Sequence, residues 1–305
     1  MTTKFNSLFK LLDFFKENHT CVEYLANVRW AGKPSCPHCG SAKMPYVTNR
    51  GYKCSDKDCY KKFSVTTGTL FENTKISLRT WFAAMYLCTT HKKGISSLQL
   101  SRDLNITQKT AWFLLHRIRE MLKDNAPEFL VGMVEIDETY IGGKERNKHI
   151  SKRNSGKSLG PQNGKIMVVG AIERGGKVIV EKIEATTKAA LMPFIHSNVL
   201  MGLEIITDEL KAYKALKNHY THNSVSHVKN EYVNGHIHTN TIENFWSVFK
   251  RTVYGTYHTV SPKHIQRYCN ESVLRFNTRK ISDSARFHKA MNNCNTRLKY
   301  TDLII

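Results

Sequence analysis

Two cysteine pairs limit what this chain can fold into more than any other feature. Cys36-Pro37-His38-Cys39 is followed, after fourteen residues, by Cys54-Ser55-Asp56-Lys57-Asp58-Cys59. The surrounding residues, 31–72, contain Gly, Pro and Cys with only short strand-like pieces, "GYKC" and "KKFSVTT". Such a module has little apolar core of its own. Two close pairs at this separation suit one tetrahedral zinc, each pair supplied by one tight turn, and metal binding then contributes folding energy. Four thiolates leave no position for water, so the zinc is expected to be structural. His38 reads as a turn residue. Cys21, Cys88, Cys269 and Cys294 fall in helical patterns and read as core thiols.

The rest of the chain is globular and basic. It has 305 residues, 41% hydrophobic, and carries a formal net charge of +21. That length allows two or three domains, and that charge favours a polyanion, nucleic acid above all. No apolar run approaches the ~20 residues needed to span a membrane. The opening "MTTKFNSLFKLLDFFKEN" is broken by Lys10, Asp13 and Lys16, which makes it a poor signal peptide. The expected setting is cytoplasmic and reducing, where disulfides are rare.

Residues 7–30 read as two short amphipathic helices, with Thr20 and Glu23 forming a capping box. Helical periodicity returns over 76–123. Within it, "GISSLQLSRDLNITQKTAWFLLHRIREML" (Gly94–Leu122) has the outline of a helix-turn-helix. Ser96 and Gln99 cap the first helix, Asn105–Thr107 make the turn, and Thr107 caps the second. Ala111, Leu114, Leu115, Ile118 and Leu122 form its buried stripe. Gln108, Lys109, Arg117 and Arg119 fall elsewhere on that helix; Gln108, Lys109 and Arg117 are the expected DNA contacts. Residues 129–208 turn β-rich, with glycine-marked turns. The basic stretch "KERNKHISKRNSGKSLGPQNGK" is expected to be a mobile loop. From Asn240 the chain is mostly helical again. The expected division is 1–72 for the N-terminal helices and cysteine module, 73–126 for the helix-turn-helix, and 127–305 for the remainder, since Pro127 disfavours helix before it.

Acids are scarce enough to stand out. Glu135, Asp137 and Glu138 crowd three into four residues of the strand-like "MVEIDETYIGG", although strands disfavour Asp. Asp208 ends the buried-looking "LEIITD". Glu243 is the lone acid between Glu231 and Glu271, in a basic, aromatic helix. Any one of them reads as a solvated surface group. Two strand acids and one helix acid in a basic protein match a two-metal phosphoryl-transfer site, where a cation stands between carboxylate and phosphate. At about 100° per residue, Ile242, Trp246, Phe249 and Val253 line one helix face. Glu243, Lys250 and Tyr254 run along its flank.

The order of these motifs carries a resemblance. Cysteine pairs, helix-turn-helix, "VEIDETYIGG", "TDELKAY", "HTNTIENFWSVFKR", "YGTYH" and "LRFNTR" together resemble the ISXO-like group of bacterial insertion-sequence transposases. The match runs from the cysteine module to about Arg279. It implies an α/β fold: a ribonuclease-H-like mixed sheet with flanking helices, preceded by a zinc ribbon and a helix-turn-helix. It also implies a DDE-type transposase that binds the double-stranded terminal repeats of its element and cuts and joins DNA with Mg2+ or Mn2+, as a homo-oligomer on that DNA. By the same resemblance, Asp137, Asp208 and Glu243 match the catalytic, metal-holding acids. Lys250 matches the basic residue seven positions after the third acid, and with Arg251 it is expected to contact DNA. Members of the group carry either Glu or Asn as the third residue, and Asn240 stands three positions before Glu243. Glu243 is expected to be the ligand and Asn240 to position it. No nucleophilic Ser or Tyr is required. Tyr140, Tyr213 and Tyr254 are expected to pack or touch phosphate, and His236 and His238 to make local hydrogen bonds. The alternatives are a non-catalytic DNA-binding regulator on an inactive core, and a nuclease that cuts without joining.

Overall fold

The computed structural model describes residues 4–123, 128–143, 149–152, 165–225 and 235–304. Most of the basic stretch expected as a loop, and the boundary expected at 125–127, lie outside these residues. The chain forms two compact units. One comprises residues 1–122 and 280–305, the other residues 123–279.

The first unit begins with helices α1 (Leu8–Phe14) and α2 (Asn18–Trp30). Ser7 caps α1 by accepting from the Lys10 N–H. The expected capping box at Thr20 is not formed. α2 starts three residues earlier, at Asn18, so Thr20 lies inside its first turn and its hydroxyl approaches His19 instead. Strands β1 (Tyr46–Thr48), β2 (Gly51–Lys53) and β3 (Lys62–Phe63) then form a small antiparallel sheet. Gly51 has φ +132°, and a Cβ there would lie 2.6 Å from the Phe63 carbonyl oxygen. A side chain at this position would break the hairpin's contact with β3.

Helix α3 (Leu78–Thr90) is buried on nearly every side and centres the unit. α4 (Ser97–Asp103) and α5 (Gln108–Met121) follow as the helix-turn-helix. Both caps form as expected: Ser96 accepts from the Gln99 N–H and Thr107 from the Thr110 N–H. Asn105 takes the left-handed conformation that lets the chain turn. The tail returns to this unit through α9 (Asp283–Met291) and α10 (Thr301–Ile304). Phe287 is fully buried and meets Phe5 at 6.0 Å and Phe82 at 6.1 Å between ring centres. The stretch 280–305, grouped by sequence with the β-rich region, therefore packs in the helical unit, because its apolar residues complete that aromatic core.

The second unit is a five-stranded mixed sheet flanked by helices. Its strands are β4 (Val134–Ile141), β5 (Ile166–Glu173), β6 (Val178–Ile183), β7 (Glu204–Thr207) and β8 (Thr221–Ser224). They lie in the order β6-β5-β4-β7-β8. β4, β5 and β6 are antiparallel, while β7 and β8 run parallel to β4. This is the ribonuclease-H-like α/β sheet expected from the sequence. Helix α6 (Lys188–Asn198) covers one face, with Val134, Ile136, Val169 and Leu191 in its core. Helices α7 (Asn240–Thr252) and α8 (Ile265–Asn277) cover the other. There Ile242, Trp246, Phe249 and Val253 pack with Ile141, Val168 and Val180. The predicted apolar face of α7 is therefore the face that meets the sheet.

Candidate active site

β7 is short and ends at Thr207, while β4 runs on to Ile141. The last paired residues are Glu135 and Ile206. Continued by two residues, that register puts Asp208 level with Asp137, at the point where the edge of β4 opens. Sheet chemistry thus brings together two acids 71 positions apart. Asp208 is held by the Leu210 N–H, which donates to its Oδ1 at 3.1 Å.

A third carboxylate joins them. Ligand oxygens of Asp137, Glu138 and Asp208 all lie within 4.8 Å of one another. Asp137 and Glu138 alternate across the strand: Asp137 shares the α7 side with Ile141, and Glu138 faces Tyr213 on the α6 side, whose hydroxyl donates to its Oε2 at 2.7 Å. Burial pushes the Asp137 carboxyl up to about 6. The Glu138 N–H and Lys250 pull it down, and the charges of Asp208 and Glu243 push it further up. Burial likewise pushes Glu138 up to about 7, against the Tyr213 hydrogen bond. Buried acids sharing a site hold their protons longest, because each ionised neighbour raises the cost of the next charge.

Helix α7 reaches this site from the other side. Gly170 of β5 pairs with Asp137 of β4. A Cβ on Gly170 would lie 2.7 Å from Trp246 Cζ2 and 3.2 Å from Ile242 Cδ1. The missing side chain lets α7 lie directly on the sheet at the level of Asp137. Glu243, in the first turn, is exposed, and its Oε1 accepts from the Thr239 hydroxyl at 2.9 Å. Its charge and that of Lys250 both act on Asp137. Glu243 is not part of the close group of three, however. Asn240 is exposed at the helix start, Lys250 is half-buried, and Arg251 is exposed, its Nε donating to the Ser247 carbonyl. Sequence reasoning noticed Glu138 but assigned it nothing. The crowding of three acids in four residues was the available signal.

The remaining expected residues divide by burial. Cys36, Cys39, Cys54 and Cys59 cluster, with Sγ atoms 3.9 Å apart for Cys36–Cys59 and 3.7 Å for Cys39–Cys54. Thiolates about 2.3 Å from a tetrahedral zinc stand about 3.8 Å apart, so donor set and spacing both fit structural zinc. Cys21, Cys88, Cys269 and Cys294 are buried, as core thiols. Gln108 and Lys109 are exposed at the start of α5; the Gln108 amide donates to Ser97 Oγ at 2.8 Å. Arg117 is a correction. It is 6% exposed, its guanidinium sits 5.2 Å from the Trp81 ring centre, and it donates to the Glu72 carbonyl. Arg119 is 1% exposed. Both arginines belong to the interior of the helical unit, because the buried arc of α5 is wider than its five apolar residues. His236 and His238 make local hydrogen bonds, to Glu204 and Arg174 respectively.

The chain thus carries a ribonuclease-H-like sheet with clustered acids and, earlier in the sequence, a four-cysteine ribbon, and comparison with known proteins gives the family. Residues 129–277 match the ISXO2-like transposase domain, and residues 16–62 match a transposase zinc-ribbon domain. An uncharacterized protein in transposable element ISH50 of Halobacterium salinarum is 31% identical over 250 residues, covering 78% of this chain and 83% of that one. The chain belongs to the ISXO2-like transposase family. The Halobacterium host is archaeal, whereas the sequence resemblance pointed to bacterial elements. A chain of a pre-cleavage Mos1 transpososome aligns over 96% of this chain and 97% of its own, at 11% identity and TM-score 0.18, too weak a likeness to carry an argument. Among the described residues, no helix is long and apolar enough to cross a membrane.

Proposed function

We propose that this transposase cuts and joins DNA at the ends of its own element, with Asp137, Asp208 and Glu243 as ligands of catalytic Mg2+ or Mn2+. The observation that carries this reading is the gathering of carboxylates around Asp137 at the open edge of β4, with Lys250 close enough to act on it. Hard carboxylate oxygens suit these ions, and a buried acid cluster is costly unless a cation offsets it. A divalent ion there supplies Lewis acidity toward phosphoryl oxygens and lowers the pKa of bound water.

The chain's own residues do the rest. Asp137 anchors the site from within β4 and Asp208 from just past the end of β7, and Glu243 closes it from α7. Glu138 adds negative charge and, through Tyr213, fixes the opposite face. Lys250, about two turns after Glu243, pairs with a phosphate oxygen and orients the scissile group. Asn240, beside Glu243, positions it. The proposed chemistry is attack of water on an element-end phosphodiester, which frees a 3′-hydroxyl. That hydroxyl then attacks a target phosphodiester, forming one P–O bond as another breaks. No covalent protein–DNA intermediate is needed.

DNA is held by charge elsewhere on the chain. Gln108 and Lys109 of α5 and Arg251 of α7 contact it, with the zinc ribbon, and several copies assemble on the terminal repeats in the cytoplasm. A strand-transfer assay with a labelled element end, a target plasmid and Mg2+ tests this reading. Joined product is expected. Cleaved ends without joined product favour the plain nuclease, and sequence-selective binding without cleavage favours the regulator.

A further inference from the structure

The most deeply buried acid of β4 is one the proposed chemistry does not use. Glu135 is 0% exposed and sits two residues before Asp137. Its Oε2 accepts from the Thr241 N–H at 2.8 Å and from the Ile242 N–H at 3.0 Å. Its Oε1 accepts from the Thr241 hydroxyl at 2.8 Å and from Arg174 Nε at 2.6 Å. The two N–H groups belong to the first turn of α7, where a helix has no internal acceptors for them. Thr239, at the N-cap, supplies no side-chain cap; its hydroxyl goes to Glu243. Strand β4 therefore caps the helix from outside, and the negative carboxylate also suits the positive end of the helix dipole.

Arg174 extends the hold. Its guanidinium donates to the carbonyls of His236 at 2.7 Å and His238 at 2.8 Å. His236 Nε2 lies 2.9 Å from Glu204 Oε1 of β7. The entry to α7 is thus tied to β4, to the end of β5 and to β7. A buried carboxylate with two oxygens satisfied by four donors defines one position for the helix start, because any slide strands a charge or an N–H without a partner.

We propose that Glu135, braced by Arg174, is a positioning residue: it fixes the first turn of α7 and so sets where Glu243 stands relative to Asp137. One strand then carries both the first proposed metal ligand and the anchor for the helix that bears the third. The inference rests on the reading of Glu243 as a ligand.

The test uses the full-length, zinc-loaded protein. Glu135→Gln keeps the side-chain length and an acceptor for the two N–H groups, but turns an amide toward Arg174. Thr241→Val removes a single hydroxyl donor and serves if Glu135→Gln does not fold. Amide exchange is read at residues 240–243 against 246–252, and Mn2+ affinity is measured alongside. Exchange of the first turn is expected to rise several-fold while the later turns hold. Mn2+ affinity is expected to fall about ten-fold in Glu135→Gln, as losses of outer partners do, and less in Thr241→Val. Unchanged exchange and affinity in every variant that folds overturn the proposal. If the parent protein binds no Mn2+ at the carboxylates, the reading of Glu243 falls, and exchange of the first turn alone decides whether Glu135 is the anchor.

Discussion

Asp137 and Glu138 make the site's charge depend on pH. Burial comes first among the causes that push Asp137 to about 6 and Glu138 to about 7. A carboxyl raised in the folded state keeps its proton there after the unfolded chain has lost it. The metal-free fold therefore loses stability as pH rises from about 4, the unfolded value, through 6 to 7. For Asp137 the loss is on the order of 2–3 kcal/mol. A divalent cation offsets repulsion only between ionised acids. Mn2+ is accordingly expected to raise the melting temperature by several degrees at pH 8 and much less at pH 5.5, in zinc-loaded protein followed by calorimetry. An equal or larger rise at pH 5.5 contradicts the assignment. At this scale the paired spacing of the four cysteines was legible, and the fold gathers them; Asp137 and Asp208 were legible only in combination with the other motifs. It misled at Arg117, whose basic character predicted solvent but whose long side chain instead lies among Trp81 and Phe113 in the interior.

Among the elements, α7 and its seat on the sheet matter most. Gly170 is where β5 passes beneath Trp246. Gly170→Ala puts a methyl where none fits and lifts the helix at the level of Asp137. The expected cost is about 1–3 kcal/mol in urea unfolding, with a larger proportional loss of DNA cleavage. A variant as stable and as active as the parent shows that close approach here is unimportant. The amphipathic pattern of α7 was legible, since its apolar residues repeat at helical spacing. α6 was not, because Pro193 stands inside it and reads as a breaker. β8 was not either. "THNS" has no apolar residue, and as an edge strand it is defined by its pairing with β7.

On the scale of the molecule, the chain's end belongs with its beginning. Phe287, Met291 and Cys294 are fully buried in the helical unit. The Leu70 N–H donates to the Cys294 carbonyl, and Arg29 Nε donates to Asn295. A protein ending at Arg279 is expected to lose the cooperative unfolding of residues 1–122 while residues 123–279 stay folded, read by hydrogen exchange of each unit. Adding residues 280–305 as a separate peptide should restore protection to the first unit. Retained protection in the truncated protein contradicts the packing. Sequence could not reveal this return, because contacts between positions more than 200 apart, such as the 266 between Arg29 and Asn295, leave no local pattern.

Asp137, Asp208 and Glu243 are proposed to act together in cutting DNA. This is tested most directly by one side-by-side measurement on end-labelled terminal-repeat DNA in Mg2+. Cleavage and binding are read in the same samples for the parent protein and for Asp137→Asn, Asp208→Asn, Glu243→Gln and Asn240→Ala. The three acid variants are expected to bind as the parent does but lose cleavage by about a thousand-fold or more, the scale of removing transition-state charge stabilisation, and Asn240→Ala is expected to keep measurable activity. Normal cleavage by Glu243→Gln with none by Asn240→Ala contradicts this proposal and transfers the third position to the asparagine.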